Sequence, residues 1–178
     1  LQNAGLIYGQ IIYNKAPVMM TKLVELMGKE KFREGIQEYL KTYAYNNATW
    51  DDLIQILDSK TEQDLAHFSD VWVNRKGMPH IRFEISEGQL AVRQQDPYHR
   101  GLVWPQQFKV TICGERDTTL EVNLTDSLCL VPLPFTPTHI LPNTDGRGYG
   151  LLIPDDNSLN WLLEHWQEVE DETSRQAL

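Results

Sequence analysis

Tyr13 stands in IIYNKAPVMM (residues 11–20), ahead of Lys15 and of Pro17, where an apolar run begins. A proline in the first turn of a helix sacrifices no hydrogen bond, because the N–H it lacks would have no partner there. Tyr13 and Lys15 are thereby set at the lip of a helix. A tyrosine in that position either packs against the helix or presents its phenol for chemistry, and residue type alone favours packing. The other chemistry-bearing residues are scattered. His67, His80, His99, His139 and His165 include no pair at metal-ligand spacing and no H-E-x-x-H, so they read as surface or hydrogen-bonded core histidines. Cys113 and Cys129 lie in strand-like stretches and match neither a metal knuckle nor a disulfide framework, which predicts buried free thiols. DGRGYG (145–150) contains G-x-G-x-G but lacks the strand-to-helix setting of a dinucleotide loop; Asp145-Gly146 reads as a turn, with Tyr149 opening a strand. No metal or cofactor site is expected among these residues.

Two weaker patterns carry little. Asn47-Ala48-Thr49 and Asn123-Leu124-Thr125 match the glycosylation sequon, which is short, and Thr49 already has a capping role. EHWQEVEDE (164–172) reads as a solvated helix face, with attraction of an amine-bearing ligand as the alternative. A nucleophile elbow and a phosphate-binding Walker loop are both absent.

The elements that hold these residues change character along the chain. Val18, Met19, Leu23, Val24, Leu26 and Met27 recur near the helical period, and Gly28 closes the run. Phe32, Ile36, Leu40 and Tyr43 stripe a second helix. Thr49 with Asp52 forms a capping box before Trp50, Leu53, Ile54 and Leu57. A fourth helix is expected from Glu62 to about Val73, burying Leu65, Phe68 and Trp72. RKGMPH (75–80) is the break, after which the period becomes two. Alternation then recurs at Ile81, Phe83 and Ile85; Leu90 and Val92; Phe108, Val110 and Ile112; Leu120, Val122 and Leu124; and Leu128 and Leu130. Six or seven short strands separated by turn signals predict a small antiparallel β-sandwich, in an α+β chain. After Pro154 the helical period returns, with Ser158 as N-cap and Leu159, Leu162, Leu163 and Trp166 at helical spacing.

With 178 residues, 41% apolar and 23% charged, the chain is long enough for real cores and not of disordered type. Its formal charge of −9 argues against a nucleic-acid or anionic-membrane surface. No apolar stretch approaches a membrane span. The start at Leu1, without a leader, and the end at SRQAL, without a helix stop, predict a piece of a longer protein. The two cysteines do not report a compartment.

The order of motifs resembles the zinc aminopeptidases of the gluzincin group, the alanyl aminopeptidase or aminopeptidase N family. That family has a Y-x-K-G-A element at a helix start, then a Leu-Gly turn, F-x-x-G-x-x-x-Y-L and N-A-T-x-x-D-L. The matching stretches here are Tyr13 to Lys15, Met27-Gly28, Phe32 to Leu40 and Asn47 to Leu53. FSDVWVNRKGMPHIRF (68–83) resembles the family's W-x-x-x-x-G-x-P passage out of the catalytic domain. LPNTDGRGYGLLIPDDN (141–157) resembles the N-x-x-G-x-G-Y-Y-R-V passage out of the sandwich. Two departures stand out: Ala16-Pro17 replaces Gly-Ala, and Gly150-Leu151 replaces the usual Tyr-Arg.

The resemblance implies three segments: 1–76 as the helical end of a thermolysin-like catalytic domain, 77–153 as the β-sandwich, and 154–178 as the first helix of a C-terminal helical domain. It implies that Tyr13 is catalytic, donating to the oxyanion of a tetrahedral intermediate, a kind of donor whose loss typically costs ~100- to 1,000-fold in turnover. Tyr8 is a pocket-lining candidate, with packing the stronger reading, and Lys15 a local salt-bridge partner. The family's zinc ligands and the acidic residues that hold the substrate's free amine lie upstream of its tyrosine. The implied cofactor is therefore zinc in the parent protein and none in this chain, which alone should be inactive. Implied partners are peptides with a free N-terminus, the rest of the catalytic domain, and further copies of the fragment where apolar surface is uncovered. A non-catalytic relative serving as scaffold or peptide-binding module is the competing reading. An unrelated sandwich binding domain fits the strands but not the helices before them.

Overall fold

Pro17 falls in the first turn of helix α1 (Ala16–Met27), as its missing N–H requires. The computed structural model describes residues 13, 16–169 and 175, and the chain divides after Arg75 into two units. In the first unit, α1 buries Met19, Leu23 and Met27, together with the alkyl chain of Lys22. The Lys22 ammonium is not left bare there: its Nζ lies 3.0 Å from Glu25 Oε2, one turn on. Gly28 stops the helix, bonding its N–H to the Val24 carbonyl at 2.9 Å, and α2 (Lys29–Thr42) follows directly.

Helix α3 (Trp50–Asp58) starts on the capping box that the sequence predicts. Thr49 Oγ1 accepts from Asp52 N at 3.2 Å, and Asp52 Oδ2 accepts from Thr49 N at 2.8 Å. Its face of Leu53, Ile54 and Leu57 is buried. Helix α2 meets it through Gly35, where an added Cβ would stand 2.5 Å from Leu57 Cδ2. That close approach is available only to glycine.

The fourth helix is shorter and more divided than its periodicity predicts. Asp64 caps α4 (Leu65–Ser69) by accepting from His67 N at 2.7 Å, so the helix begins at Leu65 and not near Glu62. The chain then widens into a π-turn over Asp70–Asn74, closed by Arg75 N donating to the Asp70 carbonyl at 3.0 Å. Leu65, Phe68 and Trp72 are nonetheless all buried, and Phe68 and Trp72 stack at 5.8 Å. The wider turn keeps the same apolar face inward, and periodicity cannot register it.

Among the described residues the second unit holds seven strands: β1 (His80–Ser86), β2 (Gln89–Gln95), β3 (Gln106–Cys113), β4 (Thr118–Leu124), β5 (Leu128–Pro132), β6 (His139–Leu141) and β7 (Leu151–Ile153). They form two sheets, ordered β5-β2-β1-β7 and β4-β3-β6. All pairings are antiparallel except β1 with β7. Ile81, Phe83, Leu90, Val92, Phe108, Val110, Ile112, Val122, Leu124 and Ile140 make the core between the sheets.

In β5 the sequence phase is corrected by one residue. Leu128 and Leu130 are exposed, while Cys129 and Val131 pack on the core. The register explains it: Cys129 lies opposite Val92 and Val131 opposite Leu90, so each shares the core-facing side of its partner. The cap of the helix after Pro154 is corrected too. Helix α5 (Asp156–His165) is capped by Asp155, which accepts from Ser158 N at 3.2 Å. Ser158 is instead fully buried, its Oγ donating to Asp155 Oδ2 at 2.6 Å and accepting from Ile140 N at 2.9 Å. That hydroxyl ties α5 to β6.

Candidate functional site

Tyr13 lies just ahead of α1 and leaves 75% of its surface exposed. Its hydroxyl is a donor at neutral pH with no need of a neighbouring base. Tyr8 and Lys15, the candidate pocket residue and its candidate local partner, lie outside the described residues.

Among the described residues, no group of three or more His, Cys, Asp or Glu side chains could hold a metal ion. Asp145 does not serve a phosphate either. Its Oδ1 accepts from Lys109 N at 3.1 Å and from Arg147 N at 3.3 Å, which makes 145–150 a structural turn. Tyr149 precedes β7 without joining it, held by Gln106, whose Oε1 accepts from Tyr149 N at 2.7 Å and whose Nε2 donates to the Tyr149 carbonyl at 3.1 Å. The departure at Gly150 has a steric reason: an added Cβ would lie 2.6 Å from the Pro79 carbonyl oxygen.

One grouping was invisible to spacing. Cys113 of β3 pairs with His139 of β6, and both line a cavity of about 560 Å³ with Asp117, Thr138, Trp161 and Glu168. A thiol, an imidazole and a carboxylate suggest a nucleophilic site, but the electrostatics oppose it. Burial, with the Asp117 charge adding to it, pushes the Cys113 thiol up to about 12, so the sulfur stays protonated. His139 is occupied elsewhere. Its Nδ1 lies 3.1 Å from Thr138 Oγ1, and its ring stacks on Trp161 at 3.7 Å with 10° between planes. His165 stacks on the same indole at 5.1 Å. Through the stack of His139 on Trp161 the grouping packs α5 against the sheet.

Among the described residues, a unit of helices is followed by a unit of two mainly antiparallel sheets. Residues 2–72 match the peptidase family M1 domain, a stretch that closely parallels the first unit. The chain is 32% identical over 160 residues to an aminopeptidase N of Lactococcus lactis subsp. cremoris, covering 87% of this chain and 18% of that protein. It is 27% identical to an aminopeptidase N of Streptomyces lividans, over 87% of this chain and 21% of that one. It is 26% identical to the tricorn protease-interacting factor F2 of Thermoplasma volcanium, over 88% and 19% respectively. The chain belongs to the M1 family of aminopeptidases. It spans about a fifth of the length of these curated relatives.

Proposed function

We propose that these residues are part of a zinc-dependent aminopeptidase that removes N-terminal residues from peptides, with Tyr13 as its oxyanion donor. The exposure of the Tyr13 phenol carries this reading, with the M1 match over 2–72 beside it. When the first peptide bond is attacked, its carbonyl oxygen gains negative charge. A phenol held before a rigid helix donates a hydrogen bond to that oxygen more strongly in the transition state than in the ground state, which is what lowers the barrier. Pro17 in the first turn of α1 limits how that helix can begin and so where the phenol stands.

The zinc and the groups that hold the substrate amine belong to residues outside this sequence, so the 178 residues alone bind no catalytic zinc and hydrolyse no peptide. Residues 1–76 are the end of the catalytic domain, 77–153 the sandwich and 154–178 the start of a C-terminal helical domain. Peptides with a free N-terminus and the remainder of the catalytic domain are its partners. Reading the coding DNA upstream of Leu1 tests this. An H-E-x-x-H followed by a further zinc-ligating Glu is the expected result. A reading frame that continues without those ligands, or begins at Leu1, would make the protein a scaffold and Tyr13 a relic.

A further inference from the structure

The loop between β2 and β3 is built more elaborately than a turn requires. Asp96 is 3% exposed, yet its carboxylate is held ionised, well below the usual carboxylate range, chiefly by Arg100. Arg100 Nε and Nη2 each donate to it at 2.9 Å, and the backbone N–H groups of Tyr98 and Arg100 add bonds at 3.0 and 2.9 Å. A buried carboxylate met by a two-pronged guanidinium and by main-chain donors is a fixed geometry. His99 adopts a φ of 55°, a left-handed conformation seldom taken by a residue with a side chain, inside this knot.

What the knot holds lies outside the loop. Arg100 Nη2 also donates to the Lys76 carbonyl at 2.9 Å. The Tyr98 ring lies against Gly77, where an added Cβ would come within 2.9 Å of Tyr98 Cε2 and where φ is +105°. Both faces of the demand select glycine: the conformation excludes a side chain and so does the ring. Lys76 Nζ and the Arg100 guanidinium lie 5.6 and 4.8 Å from the Tyr98 ring centre. Lys76 and Gly77 are the first residues of the second unit. They precede β1, so no strand pairing holds them.

We propose that Asp96–Gly101 is a clasp that fixes the lead-in Lys76–Met78 to the sandwich, independently of the strand pairings of β1. Arg100 grips the main chain at Lys76, Tyr98 roofs Gly77, and Asp96 pre-sets both. On the first unit's side Arg75 is tied to Asp70, by its N–H to the carbonyl at 3.0 Å and by Nε to Oδ2 at 3.0 Å. The connection is thus braced up to Arg75 by one set of bonds and from Lys76 onward by another.

The test uses the 178-residue chain, a lysine-specific protease with the rate read at the bond after Lys76, and amide hydrogen exchange over β1 and β2. Arg100→Ala is compared with Arg93→Ala, which removes an equal charge from an exposed pair with Glu84 at 3.4 Å. The clasp predicts that Arg100→Ala speeds cleavage after Lys76 roughly tenfold or more, with β1 and β2 protection intact and Arg93→Ala without effect. Tyr98→Ala, which leaves the Asp96–Arg100 pair in place, is expected to give a smaller rise in the same rate. Equal cleavage in all variants would overturn the proposal. So would loss of β1–β2 protection in step with the lead-in, since the loop would then be a part of the global fold and no separate clasp.

Discussion

A phenol that is three-quarters exposed at a helix start and a buried imidazole stacked on an indole face opposite demands. Tyr13 is exposed, whereas His139 is enclosed by Trp161 and Thr138. Burial, with His165 adding to it, holds the His139 pKa below the usual 6.5, against the opposing pull of Asp117 and Asp155. The folded state therefore prefers the neutral ring. The second unit should keep its full stability above the unfolded value near 6.5 and lose part of it as pH falls through the lowered folded value. Urea melts between pH 7.5 and 5 measure this, and His139→Gln should flatten the dependence; an unchanged slope would assign the acid sensitivity elsewhere. Cys113 behaves as the sequence leads one to expect of a strand cysteine, a free buried thiol. Its neighbour His139 was beyond reach of a sequence reading, because 26 positions separate two residues that only the β3–β6 register brings face to face.

At the scale of elements, local chemistry was legible and its tertiary consequences less so. The Thr49–Asp52 box could be read directly because both partners lie within one turn. Thr49→Ala should lower the thermal stability of the first unit by about 1 kcal/mol, measurable by calorimetry. Gly35 entered the sequence reading only as the glycine of the F-x-x-G-x-x-x-Y-L match, yet it sets how closely α2 approaches Leu57. Gly35→Ala must push that side chain aside and is expected to destabilise by about 1–3 kcal/mol despite alanine's better helix propensity. A stabilised variant would contradict the packing described here. The strand alternation of β1 to β4 was readable because each core residue has its period-two neighbours in the same strand. β5 slipped by one because its leucines face outward and its phase is set by Leu90 and Val92 across the sheet. β6 spans only His139–Leu141 and is too short to show a period. Ser158 was misassigned for a similar reason. Both Asp155 and Ser158 are capping types, and only the bond from Ile140 N reveals that the serine is committed to the sheet.

For the whole molecule, the order of helices, sandwich and final helix was legible because the hydrophobic period changes twice, at 75–80 and after Pro154. Of the proposed site, one residue, Tyr13, was legible in the sequence. Two consequences follow for the isolated chain. Dialysed against zinc and assayed on aminoacyl substrates, it should hold no stoichiometric metal and show no turnover; chelator-sensitive activity would refute the division of labour proposed here. Leu159 and Leu163 of α5, and Trp166 just after it, are exposed beside an apolar groove of about 450 Å³ that includes Leu152 and Pro154. Such uncovered surface predicts concentration-dependent self-association in light scattering, and a monomer throughout would count against it. The most direct measurement is kcat and kcat/KM of the intact peptidase carrying Tyr13→Phe, a change that keeps the ring and removes only the donor. Both should fall by ~100- to 1,000-fold, with substrate binding little altered. Turnover within a few-fold of the parent would show that Tyr13 is not the oxyanion donor.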